Sequence, residues 1–249
     1  MSENITFTER GTGSPVLLLH GGAGPQSVTS FADLLAETAH VRVITPTHPG
    51  FGGTERPEEL DSVTGLADAY LGLLDDLDLH DVTVIGNSIG GWITAELALR
   101  HSARVTGIVL VDAVGIEVSG HPVVDFFSLT LPQVADYSFF EPDKFRIDPS
   151  TLPPEALAVG AANRAALAVY GGGMVDPTLL GRLAGIDVPT LVIWGEADRI
   201  ADADYGRAFA AAIPGARFEL LAGTGHVPQI ETPELLAATI GEFAPLHAA

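Results

Sequence analysis

The feature that most restricts the fold of this chain is the segment Val82-Thr83-Val84-Ile85-Gly86-Asn87-Ser88-Ile89-Gly90-Gly91-Trp92. A short apolar run ends in a Gly-x-Ser-x-Gly pattern, and a helix-like stretch follows at once. A serine on so sharp a strand-to-helix turn has strained backbone angles, and its flanks crowd each other unless they are small. Gly86, Gly90 and Gly91 meet that demand. The turn also places Ser88 at a helix N-terminus, where free N–H groups and the dipole favour developing negative charge. A nucleophile is the use this invites; a structural Gly-rich turn is the bland alternative.

Similar apolar runs at 16–20, 41–45, 108–111 and 191–194 are rich in Val, Ile and Leu without alternation, as expected of strands covered on both faces. Between them, Leu66, Tyr70, Leu73, Leu74 and Leu77 recur at helical spacing, and Ile93, Leu97 and Leu99 continue the stretch that opens at Ser88. Thr232-Pro233-Glu234 reads as an N-cap, a first-turn proline and an acidic residue opening a last helix. Strand alternating with helix predicts an α/β fold with right-handed crossovers and a mainly parallel sheet.

That rhythm breaks between about 113 and 182. This stretch is interrupted by prolines and holds Phe126, Phe127, Tyr137, Phe139, Phe140, Phe145 and Tyr170, seven of the 17 aromatics. They serve either to pack a small insertion onto the core or to line an apolar pocket beneath a lid.

A serine nucleophile needs a base, and the base needs an orienting carboxylate. His226 lies in Leu220-Leu221-Ala222-Gly223-Thr224-Gly225-His226, a strand end running into a Gly-rich loop, and Asp198 lies just past the strand end at Trp194-Gly195. In a parallel sheet Ser88, Asp198 and His226 would all emerge at the carboxyl edge. Asp112 also ends a strand and is the rival for the acid. His40, His80, His101, His121 and His247 sit in polar or loop contexts, and His48 reads as a loop prop rather than a proton carrier. For the oxyanion, the Gly-rich loop at His20-Gly21-Gly22 offers the Gly22 N–H beside that of Ile89.

Composition removes several alternatives. With 12 Lys+Arg against 32 Asp+Glu the net charge is −20, on a chain of 249 residues that is 47% apolar and only 18% charged. That is an acidic globular body, a poor partner for nucleic acid or anionic membrane surfaces. The single lysine, Lys144, follows Asp143, so no phosphate loop ending in Gly-Lys-Ser/Thr exists. No Gly-x-G-x-x-Gly fingerprint survives, and without cysteine there is neither disulfide nor thiolate metal site. Neither a metal nor another cofactor is expected. Met1-Ser2-Glu3-Asn4 has no basic or apolar leader character, so a cytoplasmic enzyme acting on a small molecule is expected. Nothing in the sequence defines an oligomeric state.

Taken together, His20-Gly21-Gly22, Gly86-Asn87-Ser88-Ile89-Gly90-Gly91, Gly195-Glu196-Ala197-Asp198, Gly225-His226-Val227-Pro228 and the loop His48-Pro49-Gly50-Phe51-Gly52 resemble the α/β-hydrolase superfamily. The resemblance implies a sheet of about seven to eight strands flanked by helices, with a helical cap inserted after Asp112. The expected division is a catalytic core of 1–112 and 183–249 with a cap over 113–182. Only about one strand, Ile5 to Glu9, is visible before Val16, so the usual first hairpin is expected to be shortened or absent. Haloalkane dehalogenases and epoxide hydrolases of this fold carry Asp where Ser88 stands and are disfavoured. The main expectation is a cofactor-free serine hydrolase of a small, largely apolar carboxylic ester, working through an acyl-enzyme. Asn87 and Gly90-Gly91 also resemble carbon–carbon bond hydrolases of vinylogous 1,5-diketone ring-fission products. Those enzymes carry Trp where Val227 stands, and a cap arginine for which Arg164 is the candidate. Asn87, Phe126, Phe127 and Arg164 are the expected substrate contacts. A ligand-binding, receptor-like protein of low turnover and a lyase are the readings from other classes.

Overall fold

The computed structural model describes residues 5–243 and residue 246; Met1 to Asn4 and His247 lie outside the described residues. The elements run β1 (Phe7–Arg10), β2 (Pro15–Leu19), α1 (Gln26–Ala39), β3 (Arg42–Pro46), α2 (Val63–Asp76), β4 (Val82–Asn87), α3 (Ile89–Ala98) and β5 (Val105–Val111). Four helices follow before the sheet resumes: α4 (Leu131–Ser138), α5 (Pro142–Phe145), α6 (Pro154–Gly171) and α7 (Leu179–Arg182). Then come β6 (Thr190–Gly195), α8 (Ala203–Ala212), β7 (Arg217–Leu221), α9 (Pro228–Glu231) and α10 (Pro233–Gly241).

The seven strands form one sheet in the order β1-β3-β2-β4-β5-β6-β7. All neighbours are parallel except β1, which runs antiparallel to β3 at the edge. Side chains alternate across each strand, so two apolar layers result. Leu17, Leu19, Val84, Leu110 and Val192 pack with α2, α3 and α8 on one face. Val16, Leu18, Val43, Ile85 and Ile193 pack with α1 and α10 on the other. Both faces are covered, which is why the strand sequences show no polar alternation.

Between β5 and β6 the chain forms a helical cap whose main element is α6. The apolar period here is weak because short helices and 3₁₀ turns each bury little; α6 itself buries only Asn163, Ala166, Leu167, Tyr170 and Gly171. One local expectation differs in detail. Thr232 precedes α10, but its side chain makes no capping bond and its Oγ1 lies 3.0 Å from Thr224 Oγ1. That bond ties the start of α10 to the loop after β7.

Candidate active site

Four consecutive parallel strands place polar residues just past their carboxyl ends: Ser88 after β4, Asp112 after β5, Asp198 after β6 and His226 after β7. Ser88 has φ 57°, ψ −121°, outside the comfortable range of a non-glycine residue. Its backbone is fixed by an N–H bond to Val111 O at 3.0 Å and by acceptance from Val114 N at 3.3 Å. The glycines permit the turn by close approach. A Cβ on Gly90 would stand 2.5 Å from Leu19 O, and one on Gly86 would strike the Gly90 carbonyl.

His226 Nε2 lies 3.0 Å from Ser88 Oγ, and His226 Nδ1 lies 2.8 Å from Asp198 Oδ2. With Asp198 accepting at Nδ1, that nitrogen carries a proton and Nε2 is left to accept from the serine hydroxyl. Asp198 Oδ1 accepts from Ile200 N at 2.7 Å and Ala201 N at 3.1 Å. The three residues are buried, Ser88 at 9% exposure. Asp112 does not touch His226 through a hydrogen bond; its Oδ1 accepts from Gly195 N at 2.8 Å. Asp112, Asp198 and His226 form the only group of three close enough to hold a metal ion among the described residues. Two of its ligand atoms are already bonded to each other.

Ile89 opens α3, so its N–H is one of those the helix itself leaves unpaired. The loop of Gly21 and Gly22 runs beside it, with Gly21 set against Ser88 and Asn87. Beneath that loop lies a buried histidine pair. His48 Nε2 donates to His20 O at 2.8 Å, His48 N donates to His20 Nε2 at 3.1 Å, and His20 Nδ1 donates to Gly21 O at 2.8 Å. The Tyr70 hydroxyl completes the chain at His48 Nδ1. Each ring nitrogen thus has one partner only if both rings are neutral. Burial drives this, pushing His48 down to about 4 and His20 well below the usual histidine range.

The cap covers this edge. Leu167 of α6 rests on Gly22, Asn163 Oδ1 accepts from Gly52 N at 2.8 Å, and Tyr170 donates to Pro49 O at 2.9 Å. From α4, Ser138 O accepts the His226 backbone N–H at 2.8 Å. Glu231, for which the sequence carries no motif, accepts from Gly225 N, Phe140 N and Glu141 N, and so joins the histidine loop to the cap.

The expected substrate contacts are placed differently from the central three. Asn87 spends its amide on Val111 O at 3.3 Å and His226 O at 3.0 Å, and accepts from Gln229 at 3.1 Å. Arg164 Nη2 donates to the carbonyls of Phe126, Phe127 and Leu129, with its guanidinium over both phenyl rings. Phe126, Phe127 and Arg164 are thus engaged with one another within the cap, and Asn87 with the end of β5 and the loop that follows β7.

A seven-stranded, mostly parallel sheet with a helical cap and Ser, His and Asp on its carboxyl edge defines a hydrolase-like class of protein. Residues 16–239 match the alpha/beta hydrolase family, and the chain belongs to it. Among its relatives is a 2-hydroxymuconate semialdehyde hydrolase of Pseudomonas putida, 30% identical over 94% of this chain and 88% of that protein. A 2-hydroxy-6-oxo-6-(2'-aminophenyl)hexa-2,4-dienoic acid hydrolase of Metapseudomonas resinovorans is 28% identical over 92% of this chain and 83% of its own length. Among solved structures, an esterase from Thermogutta terrifontis superposes with a TM-score of 0.78 at 25% identity, covering 98% of this chain and 94% of that one. No helix among the described residues is long and apolar enough to cross a membrane.

Proposed function

We propose that this protein is a serine hydrolase that cleaves a carbon–carbon bond beside a carbonyl in a small ring-fission product. The hydrogen-bonded line Ser88–His226–Asp198 carries the hydrolytic part of this reading. The likeness to ring-fission hydrolases over nearly the whole chain supports the choice of bond. This puts the carbon–carbon reading ahead of the simple ester expected from the sequence.

In this mechanism His226 Nε2 takes the Ser88 proton as Oγ adds to the ketone carbon. The Gly22 and Ile89 N–H groups receive the charge that forms on the oxygen. Collapse breaks the bond between that carbon and the adjacent methylene of the vinylogous 1,5-diketone, the electron pair passing through the enone to its far carbonyl oxygen, and the imidazolium protonates the departing fragment. Water activated by the same imidazole then releases the acyl group from Ser88. Asp198 holds the imidazole and balances its charge during both halves. Under this reading the stretch 113–182 is the cap that excludes bulk water, and Leu167 over Gly22 brings apolar surface to the reacting carbonyl.

A carboxylic ester is the second reading, and Arg164 is what favours it. A dienoate substrate brings a carboxylate, yet this guanidinium is committed to three backbone carbonyls. Kinetics on a coloured ring-fission dienoate beside a short p-nitrophenyl ester separates the two. The proposal expects kcat/KM for the dienoate to exceed that for the ester; faster ester turnover with negligible dienoate cleavage contradicts it.

A further inference from the structure

Asp112 is fully buried and takes a left-handed φ of 45°. Its Oδ1 is satisfied by Gly195 N–H, but its Oδ2 has no hydrogen-bond partner. One ligand atom each of Asp112, Asp198 and His226 lie within 4.8 Å of one another. Two buried carboxylates at that range do not both stay ionised, because little water screens their repulsion. The donors decide which one keeps the proton. Asp198 accepts from Ile200 N, Ala201 N and His226 Nδ1, whereas Asp112 accepts from Gly195 N alone. Burial and the Asp198 charge raise the Asp112 carboxyl well above the usual carboxylate range, against the smaller opposing effect of the Gly195 bond. A proton on Oδ2 turns an oxygen without a partner into a donor, with Asp198 as its acceptor.

We propose that Asp112 is a protonated positioning residue whose Oδ2–H donates to the Asp198 carboxylate and keeps it aligned on His226. This rests on Ser88, His226 and Asp198 forming the reacting line. The other ionisable groups around it are accounted for. His226 follows β7 and is bonded to Asp198; Tyr205 of α8 exchanges hydrogen bonds with Ile116 and is held un-ionised by burial; Glu96 of α3 is bound to Arg100 and Arg182.

The proton has a consequence on the alkaline side. As pH rises through the Asp112 titration, a second negative charge appears beside Asp198, the bond between them is lost, and kcat/KM falls. The folded form binds this proton more tightly than the unfolded chain, so the associated stability is full at low pH and declines as pH rises. Asn at this position keeps an acceptor for Gly195 N–H and a donor for Asp198, and cannot ionise.

The test compares wild type, Asp112→Asn and Asp112→Val. At neutral pH, Asp112→Val is expected to lower kcat by about 10- to 100-fold, the effect of losing one hydrogen bond to a charged group. Asp112→Asn is expected to recover most of that loss and to abolish the alkaline fall. Its melting temperature should gain on wild type as pH increases. A packing role alone would move neither the alkaline limb nor that pH dependence. Infrared spectra give a readout independent of catalysis. At pH 7 wild type should show the carbonyl stretch of one un-ionised carboxyl, shifted by carboxyl-¹³C aspartate and absent from Asp112→Asn. Absence of that band in wild type overturns the proposal, as does its persistence in Asp112→Asn. So does an Asp112→Asn as impaired as Asp112→Val with the alkaline limb unchanged. If wild type turned over neither substrate class, the functional reading would fail while the infrared band still decided the state of Asp112.

Discussion

At the scale of single residues, the buried pair His20 and His48 makes the sharpest demand on solution conditions. Every ring nitrogen is matched to a partner that only the neutral tautomers satisfy. The folded value of His48 is about 4, against about 6.5 for a free histidine, so between these values the unfolded chain binds the extra proton. Stability is then full above about pH 6.5 and is lost as pH falls toward 4, by on the order of 3 kcal/mol from His48 alone. His20 is depressed in the same direction and steepens the loss. In an Asp112→Asn background, which removes the opposite pH dependence of the Asp112 carboxyl, urea midpoints should decline between pH 7 and pH 5; a flat profile there would refute neutral buried histidines. Ser88, Asp198 and His226, which the structure joins by hydrogen bonds, stand out in the sequence because each follows the end of an apolar run, Ser88 and His226 within Gly-rich turns. The spending of Asn87 and Arg164 on backbone carbonyls was not legible. Side-chain direction at a loop or cap depends on which carbonyls tertiary packing leaves open, and no local pattern records that.

At the scale of elements, the strands were readable for a plain reason. A strand buried on both faces must be a short Val/Ile/Leu run, and 16–20, 41–45 and 191–194 fall on β2, β3 and β6. The cap was readable as an interruption but not as architecture. It attaches by a few apolar side chains, such as Leu167, Met174 and Leu179, and by scattered polar contacts, one of the strongest involving Glu96, the charged residue in an otherwise uncharged helix. Its side chain is fully buried and accepts from Arg100 at 2.6 Å and from Arg182 at 2.6 and 3.0 Å. Arg182 in turn pairs with Asp176 at 2.7 Å, so the helix that starts at Ile89 is tied to the segment where the cap returns to the core. Glu96→Ala leaves two arginines without their shared carboxylate, although water still reaches both. The expected cost is about 2–4 kcal/mol in urea unfolding. A loss below 0.5 kcal/mol, on the order of an exposed pair, would show that the clamp is dispensable.

At the scale of the whole molecule, the −20 charge and the site bear on each other. All twelve basic side chains have a carboxylate or a backbone carbonyl as partner, so under the proposed function the dienoate carboxylate must draw a guanidinium such as that of Arg164 away from its present partners. Under the proposed function, the rest of substrate recognition falls to apolar cap surface such as Leu167 and to the N–H groups at Gly22 and Ile89, with Ser88 supplying the reacting oxygen. The central claim is that this one serine performs the chemistry. Intact-mass spectrometry after treatment with a fluorophosphonate, with turnover followed on dienoate and ester, tests it most directly. Wild type should gain one adduct, mapped to Ser88, and lose activity in proportion; Ser88→Ala should remain unlabelled, with kcat lower by about 10⁴- to 10⁶-fold. An adduct on another residue, or a Ser88→Ala that still turns over either substrate at near wild-type rate, would contradict it.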